Sequence, residues 1–537
     1  MTGPNVMICS KSSRTSIPTE IYLSIFDYVI PPPPIQAEHH IIHTNLCLVC
    51  RAFCQMLQPR IFRVMEFSNK KANKLIPIKG SQAFCVAVTN GVTSATSLAQ
   101  HVIECTLRDW NITSSFHAGS GAPTCLWEAY SHTLTLLPNL RVLNMKDMCL
   151  DETMLRDICS LMGLQSLTLH SCIAARGVKP DFIQTLGPPD NLQHFYYKGR
   201  VILAHSIYLD ILHRIINPAH LKTFHSASWN VTTAIFSDFV GCSALLELNL
   251  DQAVHGILLQ KILTQSPRLV TLTLGNIVPT AALPPPLPTS CVPNLENLIC
   301  PPSILSGLVP GRPLRKLIIS GFSCSPRQVE NDLDVGARVT QYLSLSGTDD
   351  MTILAQSSAR IYTLRVPLQI FIAGVASCHF SSLVQLHLDF YHENYDFQGM
   401  TITCKKEFEV AIRAMCREIP LLSSLRTLTL SFGSRAPAFW PFLVDLVLQH
   451  RLITSSLVNP FPNVTTITFL TLIRWNKHYM KGMVNGPSEE VGPWSAEVLP
   501  GHYMVLMALG AAGCLKDAHD YGGVLRAELG AALDPCE

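Results

Sequence analysis

Six residues in one short stretch carry side chains able to ligate a metal: His39, His40, His43, Cys47, Cys50 and Cys54, with Cys47-x-x-Cys50 spaced as in zinc sites. Structural zinc needs four converging ligands, and the chain holds no second Cys-x-x-Cys pair. Cys50 also falls on an apolar helical stripe, so no metal site is assigned. Other chemistry is equally hard to build. There is no Gly-x-x-x-x-Gly-Lys to cradle a phosphate, no His-Glu-x-x-His and no Gly-x-Ser-x-Gly. The expectation is a non-enzyme with no catalytic residue and no cofactor. Asn111-Ile-Thr113, Asn230-Val-Thr232 and Asn463-Val-Thr465 match glycosylation acceptors, but Met1 to Ser16 lacks the apolar core of a secretory signal, so they read as packing features.

The elements that would position any site must come from a long, apolar chain. Its 537 residues exceed one ordinary core, which leaves several domains or one extended repeat array. Hydrophobic residues make up 48%, which argues for a large buried surface. With 15% charged residues and a formal net charge of +2, no field large enough to steer nucleic acid is expected. The apolar run Tyr503 to Ala512 is about half of the ~20 residues a bilayer crossing needs, so no membrane is expected. An odd total of 19 cysteines fits reduced thiols, and the expected compartment is cytoplasmic and/or nuclear.

Two helices are predicted near the start, after an N-terminus (1–16) read as disordered. Pro18 suits a first helical turn, and Ile21, Ile25, Phe26 and Val29 form one stripe until Pro31 to Pro34 stops the helix. A second helix, opening near Thr44, carries Leu46, Val49, Cys50, Phe53 and Leu57 on one face and is closed by Pro59. Two such helices cannot fill a core alone. The runs Ile17 to Phe26, Leu46 to Phe53 and Pro59 to Arg63 resemble the F-box motif in its usual order, with Ile17 where that family usually has Leu and a longer loop after Pro31. The resemblance covers residues 17–64, about a tenth of the chain. It implies that Ile17, Pro18, Ile21, Ile25, Phe26, Val49, Cys50 and Phe53 pack against a Skp-type adaptor of a cullin-RING ubiquitin ligase.

From residue 65 to 482 the pattern apolar-x-x-apolar-x-apolar recurs. The clearest copies are Leu140/Leu143/Met145, Leu164/Leu167/Leu169, Leu245/Leu248/Leu250, Leu269/Leu272/Leu274, Leu314/Leu317/Ile319, Leu383/Leu386/Leu388 and Leu425/Leu428/Leu430. Weaker copies start at Leu192, Leu295, Ile361 and Val464. The step is 24 residues from 140 to 164 and from 245 to 269, within the range of leucine-rich repeats. Helical stretches lie between, such as Leu155, Ile158 and Met162, or Leu258, Leu259, Ile262 and Leu263. The expected fold is α/β: a small helical F-box-like segment, then an irregular leucine-rich-repeat-like solenoid with a parallel sheet on its concave face. Residues 483–537, where the repeat signal is lost, are expected to be a tail or cap.

Period-2 alternation turns the residues between buried leucines to the open face. The candidate target-binding residues are therefore His170, His194, Tyr196, Lys198, His225, Glu247, Asn249, Asp251, Gln385, His387 and Asp389. Such a mixed surface suits recognition of a target protein. The functional expectation is a non-catalytic substrate receptor of an SCF-type ligase. The alternative is a leucine-rich-repeat scaffold outside any ligase.

Overall fold

The computed structural model describes residues 21, 45–68, 78–110, 130–175, 178–199, 206–238, 241–252, 256–275, 287–288, 290–301, 304–319, 353–357, 359–368, 371, 380–389, 405–431, 442, 445–470, 472–479 and 491–499. Two compact units divide the chain, Met1–Leu192 and Gln193–Glu537.

In the first unit the predicted second helix is broken. Asn45 to Cys47 are helical, residues 48 and 49 form a turn, and a separate helix runs Arg51–Ile61. Cys50 is not part of an apolar stripe: it is the N-cap, its Sγ accepting from the Phe53 backbone N–H at 3.5 Å. A capping residue needs extended backbone, and Cys50 has φ −160°, which rotates it and Val49 off the helix face. Pro59 lies inside the last turn rather than closing the helix, since a proline this close to the end removes only one bond. Leu57 is fully buried, with Leu46, Cys47, Phe53, Met56 and Ile61 packed against it.

That helix leads into β1 (Val64–Ser68), parallel to β2 (Glu104–Trp110), which is parallel to β3 (Val142–Leu150) and then β4 (Ser166–His170); the two-residue β5 (Ile173–Ala174) pairs with the end of β3. The array begins earlier than the leucine count showed. The first two repeats place Phe67, Val102 and Cys105 at positions that later repeats mostly fill with leucine, and all three are buried, as is Leu107. Asp109, Asp147 and Ser171 each stand two residues after the second buried residue of their repeat, Leu107, Met145 and Leu169, with φ of 63°, 52° and 53°. The helix Glu152–Ser160 is capped by Asp151, whose carboxylate accepts from the Met154 N–H at 2.8 Å, and buries Met154, Leu155 and Ile158. Met162, expected on that face, lies beyond the helix end and is 67% exposed.

In the second unit ten parallel strands follow in register: β6 (His194–Lys198), β7 (Thr223–Ser226), β8 (Glu247–Leu250), β9 (Thr271–Leu274), β10 (Asn297–Cys300), β11 (Lys316–Ile319), β12 (Thr363–Pro367), β13 (Gln385–Asp389), β14 (Thr427–Ser431) and β15 (Thr466–Phe469). Most of these strands alternate buried and half-open positions, whereas β15 buries Ile467, Thr468 and Phe469 in a row. The buried row Phe224, Leu248, Leu272, Leu298, Leu317, Leu364, Leu386 and Leu428 contributes about 1.5–3 kcal/mol per side chain as an upper estimate. The long gap between 383 and 425 is an insertion and not a degenerate repeat, because β13 pairs directly with β14. Among the described residues it contains the helix Lys405–Glu418, with Ala411, Ile412 and Met415 buried.

Four junctions share a device. Asn139, Asn191, Asn294 and Asn463 each precede the first apolar residue of a repeat, and each Nδ2 donates to a carbonyl of the preceding repeat: Gln100, Met162, Pro267 and Ser423, at 2.6, 2.6, 3.3 and 2.7 Å. Elsewhere a buried arginine does similar work. Arg312, 0% exposed, donates to the carbonyls of Cys291, Gly307, Pro310, Leu287 and Pro288 and ties two loops together.

The tail expected from 483 is in part sheet. β16 (Ile473–Tyr479) turns back antiparallel to β15, and β17 (Val491–Val498) pairs antiparallel with β16. Buried Trp475 donates from its indole N–H to Gln449 Oε1 at 2.8 Å, and Trp494 and Ala496 cover the same side. The strand has no leucine, so the repeat pattern could not announce it. Residues 500–537 of that expected tail lie outside the described residues.

Candidate interaction face

The half-open face of the second unit is built from the residues between the buried ones. On β6–β8 one row is His194, Thr223 and Glu247, and the next is Tyr196, His225 and Asn249. His194 Nδ1 lies 3.1 Å from Thr223 Oγ1. The Tyr196 ring meets the His225 ring edge-on, with centroids 5.2 Å apart. His225 Nε2 lies 3.5 Å from Glu247 Oε1 and has no hydrogen-bond partner among the described residues, and neither has the buried Asn249 Oδ1. Burial pushes the His225 pKa below the usual imidazole value, even though Glu247 and Asp251 pull the other way, so the ring is neutral near pH 7. His194 is lowered by burial and by Lys222. The Tyr196 phenol is raised by burial and by Glu247. Lys198 and Asp251 are exposed at the strand ends. Gly275, beside Asp251, cannot carry a side chain, since a Cβ there would lie 2.0 Å from the Asp251 carbonyl oxygen.

Further along the same unit, β12 and β13 bring together Arg365, His387 and Asp389. Arg365 donates from Nε and Nη2 to the two Asp389 oxygens at 2.8 and 3.2 Å, and His387 Nε2 lies 3.1 Å from Oδ1. Burial would raise the Asp389 pKa, but the hydrogen bonds and positive charge of His387 and Arg365 hold it below the usual carboxylate value. Gln385 is exposed and accepts from Thr363 Oγ1 at 3.3 Å. Arg365 was missed as a candidate, although the alternation Leu364/Val366 placed it on this face. His170 belongs to β4 of the first unit, half-buried, its Nδ1 without a hydrogen-bond partner among the described residues.

The candidate adaptor residues fall into two groups. Ile17, Pro18, Ile25 and Phe26 lie outside the described residues. Ile21 is 49% exposed, Val49 is 65% exposed, Cys50 is exposed, and Phe53 packs on Leu57. Leu48, which the stripe omitted because it sits out of helical phase, is 81% exposed. Among the described residues no three His, Cys, Asp or Glu side chains converge as a metal site; His39, His40 and His43 are outside them. The described cysteines are free thiols, and burial pushes Cys85 and Cys172 up to about 12. No helix among the described residues is long and apolar enough to cross a membrane.

Strand after strand in parallel register, most with a buried apolar pair and most followed by a helix, define an α/β leucine-rich-repeat-like class. No family model and no curated protein matches the chain. Among solved structures it is similar to a leucine-rich-repeat protein of Leptospira interrogans, at 15% identity over 76% of this chain and 91% of that one, TM-score 0.27. It is also similar to an internalin of Listeria monocytogenes, at 10% identity over 77% and 93%, TM-score 0.25. A third is TLR13 in its complex with ssRNA13, at 14% identity over 64% and 50%, TM-score 0.28. Likenesses this loose carry no argument, and the class rests on the strands themselves.

Proposed function

We propose that the chain is the non-catalytic substrate receptor of an SCF-type cullin-RING ubiquitin ligase. In this reading residues 17–64 bind a Skp-type adaptor and the half-open sheet face binds a target protein. The supporting observation is the mismatch at the N-terminal segment. Ile21, Leu48 and Val49 stand open to solvent in the stretch that resembles the F-box, and none of them is among the described residues packed on Leu57. An exposed apolar group there suits burial against a partner helix. The receptor's contribution is proximity: it raises the local concentration of target lysines near a conjugating enzyme. Purification of the full chain with a Skp-type adaptor tests this. The wild type is expected to retain the adaptor, and Leu48→Asp with Val49→Asp to lose it while staying folded, because exposed substitutions change stability by about 0.5 kcal/mol or less. Wild-type protein that is folded yet retains no adaptor rejects the reading.

A second reading, a leucine-rich-repeat scaffold outside any ligase, is favoured by continuity. The helix Arg51–Ile61 runs straight into β1, and the Arg63 carbonyl accepts from the Ile103 and Glu104 N–H groups at the head of β2. A cap of that kind is needed to cover the end of an array. Removing residues 1–64 would then unfold the first unit, and a truncated protein that stays folded while losing the adaptor favours the receptor.

A further inference from the structure

We propose that the β6–β8 face recognises a basic side chain, lysine or arginine, presented by an extended segment of the target protein. The inference rests on the reading that this face binds a protein, and it adds the chemistry of what is bound. The case is one of charge complementarity. Elsewhere on the half-open face of this unit, carboxylates are already answered: Asp389 by Arg365, and Glu497 by Arg474 Nη1 at 3.2 Å. Glu247 has His225, His194 and Tyr196 near it but no lysine or arginine ion pair among the described residues, and Asp251 has no ion-pair partner among them. Lys198, the cation of the same face, makes no ion pair with either.

The groups left over are two carboxylates, the Asn249 amide, an aromatic ring and the single ammonium of Lys198, a net negative charge. Glu247 and Asn249 on β8 and Asp251 just past its end stand at alternate positions, so their side chains leave the sheet on one side. Asn249 Oδ1 is buried with no donor, a state that ordinarily costs stability and that an incoming N–H donor relieves. Tyr196 stands beside His225 and offers an aromatic wall for an alkyl stem or a guanidinium plane. Two carboxylates, an unanswered amide oxygen and an aromatic ring together specify a cation with several N–H donors. An anionic or wholly apolar segment would leave all three acceptors unpaired.

Fluorescence anisotropy of the full chain with two labelled peptides, one of alternating arginine and serine and one of alternating glutamate and serine, tests this. The arginine peptide is expected to bind, more weakly as salt rises, and the glutamate peptide not to bind. Glu247→Gln with Asp251→Asn is expected to weaken the arginine peptide by about tenfold, the scale of two lost charge contacts. Glu497→Gln, whose carboxylate is already paired, is expected to leave binding unchanged. Equal binding of both peptides, no saturable binding, or an unchanged affinity in the double variant overturns the inference. Adaptor retention measured on the same samples separates the two proposals. Protein that binds the arginine peptide through Glu247 and Asp251 but holds no adaptor sinks only the ligase reading, and adaptor-bound protein that ignores the peptide sinks only this one.

Discussion

The strand pairs β7–β8 and β12–β13 have the same parallel pairing and the same buried side, yet their open sides differ. In both, two apolar-side positions per strand lie under the sheet, Phe224 against Leu248 in one and Leu364 against Leu386 in the other, all fully buried. Above the sheet, β12–β13 closes its charges on itself, with one carboxylate held by a guanidinium fork and an imidazole. β7–β8 leaves its carboxylate beside a neutral ring and an amide oxygen without a donor. The fold is specified by the buried side, which tolerates no charge. The open side is free to spend its polar groups on internal pairing or to keep them available, and that choice distinguishes a structural stretch from a recognition stretch.

The largest effect should be blind to this difference. Leu248→Ala and Leu386→Ala each remove a buried side chain from an equivalent place, and each is expected to cost about 3 kcal/mol in urea unfolding. Widely different costs would break the claim that the two stretches share one architecture. The next effect should expose it. Asp389→Asn is expected to lose roughly 1–2 kcal/mol, kept modest because Arg365 is 44% exposed and screened. Glu247→Gln should change stability by about 0.5 kcal/mol or less, having no ion pair to lose. A double-mutant cycle of Asp389 and Arg365 would show whether the pair accounts for that difference.

The gentlest probe is pH. His225, with His194 and His450, is held below the usual imidazole value by burial, so the unfolded chain takes up protons first. Their contribution is complete above the unfolded imidazole value and is lost as pH falls through that value toward the folded one. Asp389, depressed by its partners, keeps its contribution through that window and loses it only as pH falls below the unfolded carboxylate value. Acid titration of thermal stability should therefore show an early loss that His225→Gln reduces, and a later one that Asp389→Asn removes. A single loss confined to the carboxylate range would contradict the assignment of the early phase to imidazoles.

The repeat leucines were legible because burial on one side of a strand imposes period 2, and Leu248, Leu272 and Leu386 read out directly. Where another residue fills the same slot, as Phe67 and Cys105 do, the pattern passed unseen although the physics is the same. The antiparallel β17 was invisible for a different reason: its buried Trp494 and Ala496 match no repeat, and its place is set by pairing with β16. Cys50 misled because a residue at helical spacing is also a possible cap, and only the backbone angle decides. The open-face candidates followed from alternation alone. Which of them are paired internally depends on cross-strand diagonals, such as Arg365 reaching Asp389, that no single strand reveals.

The asparagine clips carry a consequence for how the molecule comes apart. Each of Asn139, Asn191, Asn294 and Asn463 ties one repeat to its immediate predecessor and to nothing further along. Couplings that reach only the nearest neighbour make unfolding a zipper rather than a switch, with cooperativity that spreads junction by junction. Amide exchange in such a chain is graded along its length, slowest where a clip and a fully buried row coincide, as at Asn294. Loss of one clip would then loosen its own junction and leave the next repeat's protection intact.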